Sequence, residues 1–124
     1  MKVGLVISTY NWKEALNVVL ESVKLQTYLP DEIVVCDDGS LQDSGELVKN
    51  HQKDFPCILK YVWQEDNDFR VAAIRNRGIN ELSEDIEYVV VIDGDMILHQ
   101  KFIEDHIHFA ENNCFIQGLS LIHI

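Results

Sequence analysis

The sequence is short of basic residues, proline, cysteine and long apolar runs, and each shortage removes a class of protein. Lysine and arginine total 10 against 21 acids, a formal charge of −11. A surplus of that sign repels phosphate backbones, which argues against nucleic acid as the main partner, and it offers no simple electrostatic hold on anionic lipid. An anionic small ligand stays compatible if cations are placed locally or a metal is recruited. No apolar run approaches the ~20 residues of a membrane span, and the opening MKVGLVISTYN is too short for a leader and reads as a first strand. Cys36, Cys57 and Cys114 are far apart, with no CxxC and no zinc-type Cys/His pair, so free thiols in a reducing, cytoplasmic setting are expected. Neither a P-loop nor a GxGxxG occurs, so neither an ATPase nor a dinucleotide fold is supported.

What remains is a chain of 124 residues, 47% apolar and 25% charged, with no internal repeat and no low-complexity linker. That composition is globular, and the length suits one domain that buries about two-thirds of its unfolded surface. Val3 to Ser8 is an apolar run suited to a buried strand. Asn11, with Glu14 three residues on, predicts a capping box for a helix carrying Leu16, Val19, Leu20, Val23 and Thr27 at helical spacing. After Pro30 a strand runs from Ile33 to Cys36, and a polar helix from about Ser44 to Gln52 turns Leu47, Val48 and His51 inward. Past Pro56 come a strand at Ile58 to Trp63, an acidic loop from Gln64 to Phe69, and a helix from about Val71 to Leu82 with Ile74, Gly78 and Ile79 on its stripe. Tyr88 to Ile92 is the most apolar strand, and Phe102, Ile103, His106, Ile107 and Ala110 mark a last helix. Alternating strands and helices predict βαβ units, an α/β fold with a parallel sheet and right-handed crossovers.

In such sheets ligands bind at the carboxyl ends of the strands. Three strands here end in polar, turn-forming groups: Ser8-Thr9-Tyr10-Asn11, Asp37-Asp38-Gly39-Ser40 and Asp93-Gly94-Asp95. The topology predicts that all three share one rim. Asp93 and Asp95, separated by Gly94, can face one ligand together and suit a hard divalent cation bridging to a diphosphate; the same pattern also describes a solvated turn. Asp37 and Asp38 fit two tasks at once, Asp37 holding an Asx-type turn and Asp38 facing a base N–H or a sugar hydroxyl. The ring of Tyr10 offers a stacking face or is a plain rim tyrosine, and Asn11 reads as a helix cap rather than a ligand contact. Arg70, Arg75 and Arg77 are the chain's arginines. Arg70 and Arg77 share a face toward solvent. Arg75 borders the apolar stripe and needs an anionic partner, either Asp37 or Asp93 in an ion pair or a bound nucleotide. His106 reads as a packed residue, His108 as exposed, and His99 as near the rim without the marks of a ligand.

VISTYN, the helix ending in SVKLQTY, DEIVVCDDGS and DGD together resemble the N-terminal half of a family-2 glycosyltransferase with the GT-A fold. QEDNDFRVAAIRNRGIN resembles the matching segment of chondroitin-polymerase-like and lipopolysaccharide-type members, and the likeness runs from Val3 to about Gly118. The resemblance implies a three-layer α/β/α, Rossmann-like nucleotide-binding half on a mostly parallel sheet. It implies Ser8 and Tyr10 against the nucleotide base with Tyr10 stacking, and Asp38 accepting from the base imide. Asp93 would contact the ribose or the metal, Asp95 would ligate manganese or magnesium on the diphosphate, and Gly94 would lie between them in the same site. Arg70 and Arg75 would belong to the donor pocket. Members normally carry proline or threonine where Ser8 stands. The implied activity is metal-dependent, inverting transfer from a nucleotide-diphosphate sugar, usually a UDP-sugar, to a growing surface glycan or a lipid-linked sugar. The full-length protein would be cytoplasmic or peripheral at the inner membrane.

The family's acceptor half and general base lie beyond the DxD, so residues 1–118 are expected to be an incomplete donor-binding domain whose catalytic base is not in the chain. Residues 119–124 match the translation of a transposon-end sequencing adapter and are expected to be non-native; the alternative is a short natural strand. Two other classes fit less well. A phosphoreceiver domain needs its acid pair after the first strand and a lysine after its last. A nucleotidyltransferase usually has a glycine-rich basic signature after the first strand, which is absent.

Overall fold

The computed structural model describes residues 1–66 and 70–110. The expected status of residues 119–124 therefore falls outside the described residues, as do Glu111, Cys114 and Gly118. Strands and helices alternate as β1 (Val3–Thr9), α1 (Lys13–Lys24), β2 (Glu32–Asp37), α2 (Gln42–Gln52), β3 (Ile58–Trp63), α3 (Val71–Glu81), β4 (Tyr88–Asp93) and α4 (Phe102–Phe109). The four strands form one parallel sheet in the order β3-β2-β1-β4. Every residue of β1 and β2 is buried, as expected where helices cover both faces of a parallel sheet.

Side-chain alternation sorts the core into two halves. Leu5, Ile7, Ile33, Val35, Leu59, Val90 and Ile92 point to one face and pack under Leu16, Val19 and Leu20 of α1, Val48 of α2 and Ile103 of α4. Val6, Val34, Cys36 and Val62 point to the other face and pack under Ile74 of α3. The result is the expected three-layer α/β/α arrangement. Because α3 lies over β2 and β1, Val89 and Val91 of β4 stay exposed on that face.

Two sequence expectations about α1 are corrected. Asn11 is not its cap: Trp12 holds that position and no side chain caps the helix. Asn11 instead adopts φ 45° and bonds to the β2–α2 loop. Thr27 lies beyond the helix, where its N–H donates to Gln100 O. The start of α4 is held by buried Gln26, whose Nε2 donates to His99 O (2.7 Å) and whose Oε1 accepts from Ile103 N (3.0 Å). That side chain satisfies one of the N–H groups that every helix start leaves open. On the α3 stripe, Ile74 and Gly78 are buried but Ile79 is exposed.

Gly78 sets how closely α3 approaches the sheet. A Cβ there would lie 2.1 Å from Cys36 Sγ. The same tight burial pushes the Cys36 thiol up to about 12, so it stays protonated. Gly78→Ala is expected to cost about 1–3 kcal/mol in urea denaturation, with part of the loss recovered in Gly78→Ala/Cys36→Ala. Gly45 of α2 is the control. Its Cβ would make ordinary contact with Tyr61 at 3.5 Å, so Gly45→Ala should be neutral or gain up to about 1 kcal/mol. Equal losses at both glycines would contradict the packing argument.

His51 and His106 supply a pH test. Burial lowers both imidazole pKa values, aided at His51 by the Lys24 charge. The unfolded chain then takes up protons near its ordinary histidine pKa while the folded chain does not. Stability therefore falls as pH drops from neutrality through that value toward the folded ones. The midpoint of thermal unfolding should fall more between about pH 7.5 and about pH 5.5 in the parent than in His51→Gln/His106→Gln. Parallel slopes would put the histidines outside the folded-state linkage.

Candidate functional site

The parallel register brings the strand exits level. Ser8 pairs with Cys36 on one side and Asp93 on the other, and Asp37 is flanked by Thr9 and Trp63. A cleft of about 420 Å³ opens at this rim. Of the residues singled out in the sequence, Ser8, Tyr10, Arg75, Asp93, Gly94 and Asp95 line it together. Asp38 and Arg70 do not line it. Thr9, Trp12 and Val71 do, and the sequence reading missed them as site residues. Val71 was read only as the start of an amphipathic helix, and Trp12 sits where a helix-start pattern draws attention to Asn11.

The choice of partner for Arg75 is decided by β4. Its Nη2 lies 2.5 Å from Asp93 Oδ1, and Asp37 is occupied elsewhere. Ser8 Oγ donates to the same Asp93 oxygen at 3.2 Å and accepts from Arg75 Nη2 at 3.4 Å. The Asp93 side chain is about half exposed to the cleft, so this triad fixes its orientation more than it stabilises the fold. Gly94 N donates to Ser8 O at 2.6 Å, and a Cβ at Gly94 would lie 2.7 Å from that oxygen. A glycine between the two acids therefore lets the β4 turn close against β1. Asp95 is half-buried in the same turn.

The two carboxylates at the exit of β2 divide their work, and Asp37 holds the turn as the sequence reading expected. Asp37 is fully buried; Oδ1 accepts from Ser40 N (2.8 Å) and Oδ2 from Tyr61 OH (2.6 Å). Burial, reinforced by the bond to Asp37, raises the Tyr61 pKa, so its phenol stays a donor. Asp38 is 3% exposed, and both its oxygens already have partners: Gln64 Nε2 at 2.6 Å and Arg70 N at 2.9 Å. Arg70 thus enters the site region through its backbone, while its exposed guanidinium bonds to Glu65 O. The β3–α3 loop is drawn onto the β2 turn. Gly39 has φ 97°, and a Cβ there would lie 2.4 Å from Asp66 Cβ. Asp66 accepts from Tyr10 OH at 2.8 Å, and this bond raises the Tyr10 pKa. Gln64 and Asp66 were read only as an acidic loop; no local pattern reveals partners 26 and 56 residues away.

Asp93 and Asp95 fit a hard divalent cation by donor chemistry. Among the described residues no group of three or more His, Cys, Asp or Glu side chains could hold a metal by itself.

The sequence profile described as Glycosyl transferase family 2 matches residues 5–120. The chain is 36% identical over 103 residues to glycosyltransferase GlyA of Streptococcus pneumoniae, covering 83% of this chain and 14% of that protein. It is 30% identical over 105 residues to chondroitin synthase of Pasteurella multocida, covering 84% of this chain and 10% of that protein. Among solved structures it resembles Staphylococcus aureus TarS 1-349 in complex with UDP at 25% identity and TM-score 0.75, over 88% of this chain and 32% of that one. The chain thus spans between a tenth and a third of the proteins it resembles.

Removing the Asp38 carboxylate should destabilise the fold, because the Arg70 N–H and the Gln64 amide lose their acceptor. Asp38→Ala is expected to cost about 1–3 kcal/mol in urea denaturation, with no ligand present. A loss below about 0.5 kcal/mol would mean that water replaces the carboxylate and that the loop does not depend on it.

Proposed function

Since the chain belongs to glycosyl transferase family 2, we propose that its rim cleft binds the nucleotide diphosphate of a sugar donor for transfer to a glycan or lipid-linked acceptor. One observation carries the reading: Tyr10, Asp93 and Asp95 meet in one cleft at the carboxyl edge of the sheet. UDP is the favoured nucleotide, because a protein that is 25% identical and shares the fold is solved with UDP.

Each residue then has a task set by its surroundings. Tyr10 presents its ring to the base while its hydroxyl is tied to Asp66. For Asp38 to accept from a base imide N–H, that N–H would have to take the place of the Gln64 amide that holds Asp38 in the free protein. Ser8 and Arg75 hold the Asp93 carboxylate toward the ribose and diphosphate. In a protein of charge −11, a diphosphate approaching Asp93 and Asp95 needs a cation between them. Manganese or magnesium held there would offset that repulsion and act as a Lewis acid on the leaving diphosphate.

Inverting transfer needs a base within hydrogen-bond reach of the acceptor. Among the described residues, the acids after Asp95 are far from the rim. Glu104 accepts from Thr27 beyond the far end of α1, and both Glu104 and Asp105 are exposed on α4. The reading assigns the base and the acceptor surface to other parts of the full-length enzyme, with residues 1–118 as its donor domain. No helix among the described residues is long and apolar enough to cross a membrane. We place the enzyme in the cytoplasm or peripheral at the inner membrane, on the sequence expectation of a reducing setting.

Calorimetric titration tests the reading. UDP should bind in MnCl2 and lose at least about tenfold in affinity in EDTA, with a similar loss in Asp95→Asn in the presence of metal. Equal affinity with and without the metal, or an unchanged Asp95→Asn, would remove the cation from donor binding.

A further inference from the structure

We propose that Asn11 is a positioning residue for the nucleotide base, a role that rests on the donor-binding reading of the cleft. Asn11 is the only non-glycine residue with positive φ among the described residues, at 45°. Left-handed backbone is unfavourable for most L-residues and tolerable for asparagine, and such outliers persist where surrounding structure fixes them. Here the fixing contacts are explicit. The Asn11 N–H donates to Ser40 Oγ at 2.6 Å, and its Oδ1 accepts from Leu41 N at 2.8 Å. Two bonds thus stitch the β1–α1 loop to the β2–α2 loop.

The residues on either side of the stitch are those that would meet the base. Tyr10 directly precedes Asn11 and lines the cleft, and Asp38 lies on the loop that Asn11 grips. A third bond, Asp38 N to Thr9 O at 3.1 Å, runs beside them. Tyr10 OH then reaches Asp66 on the β3–α3 loop. Asn11 holds the stacking ring and the imide acceptor at a fixed separation without touching the ligand. The diphosphate end, carried by Asp93 at the end of β4 and Asp95 in the turn after it, is independent of the stitch. Losing Asn11 should therefore weaken a ligand with a base and spare one without.

The experiment compares UDP with inorganic pyrophosphate, both with MnCl2, in the parent chain, Asn11→Ala, Asn11→Gly and Asn11→Asp. Asn11→Gly keeps the left-handed backbone and removes the acceptor; Asn11→Asp keeps both. UDP affinity should fall about tenfold in Asn11→Ala and Asn11→Gly and stay within about threefold in Asn11→Asp, while pyrophosphate affinity changes less than about twofold throughout. An equal loss for both ligands, or no loss for UDP, overturns the role. If Asn11→Ala does not fold, the glycine and aspartate variants carry the same comparison. A readout without ligand separates this role from the donor reading: an NMR pH titration of Tyr10 labelled with carbon-13. With the stitch intact the Asp66 bond keeps the phenol above its ordinary pKa; in Asn11→Gly it should move back toward that value. Should the parent chain bind no UDP, the donor reading fails, and the titration alone decides whether Asn11 places Tyr10: an unchanged phenol refutes it.

Discussion

Everything at the rim depends on β1, a strand of seven buried residues that hydrogen-bonds in parallel register to β2 on one side and β4 on the other. A parallel strand buried on both faces must be apolar along its length, so its polar residues can appear only where it leaves the sheet. In β1 they appear at its last two residues, Ser8 and Thr9, with Tyr10 next along the chain. The register sets Ser8 beside Asp93 and Thr9 beside Asp37. A shift of one residue would turn Leu5 and Ile7 from one core half to the other and separate Ser8 from Asp93. The packing of the two core halves and the composition of the cleft are thus one constraint.

The rim is then organised by short polar bonds between loops rather than by packing. Asp37 and Asp38 are adjacent in sequence but serve opposite sides: Asp37 closes its own turn and takes the Tyr61 phenol, while Asp38 draws in the β3–α3 loop through Gln64 and Arg70. Asn11 joins the first two loops, and Tyr10 with Asp66 joins the first and third. Satisfied networks of this kind rigidify a site before any ligand arrives. The Asp93 end is organised separately, by Arg75 and Ser8. In the proposed reading, the base subsite and the diphosphate subsite are thus built from different contacts.

The architecture was legible in the sequence because it rests on local signals. Apolar runs ended by Asp-Asp-Gly and Asp-Gly-Asp mark buried strands and their turns, and alternation with amphipathic helices leaves little choice but a parallel sheet. Six of the site residues read from the sequence meet in the cleft because five lie at or just past the end of β1 or β4 and Arg75 borders the apolar stripe of α3. What the sequence misread is decided by distant partners. The Asn11–Glu14 spacing is a sound capping pattern, but Ser40 and Leu41 compete for Asn11 and win. Arg75 had two carboxylates to choose from, and only the placement of β4 beside β1 selects Asp93. Asp38 was expected to face a ligand, yet it is buried and both its oxygens hold the β3–α3 loop. Its burial beneath Gln64 and the Arg70 backbone comes from a loop some thirty residues further on, which no spacing rule foretells.

The central claim is that the nucleotide diphosphate reaches this acidic rim through a cation beside Asp93 and Asp95. Anomalous X-ray scattering from manganese, in crystals grown with UDP and MnCl2, tests it most directly. The expected result is a single manganese peak between the Asp93–Asp95 turn and the diphosphate, with the uracil against Tyr10. UDP bound in the cleft with no manganese at that turn, or manganese and nucleotide at separate places on the surface, would contradict it.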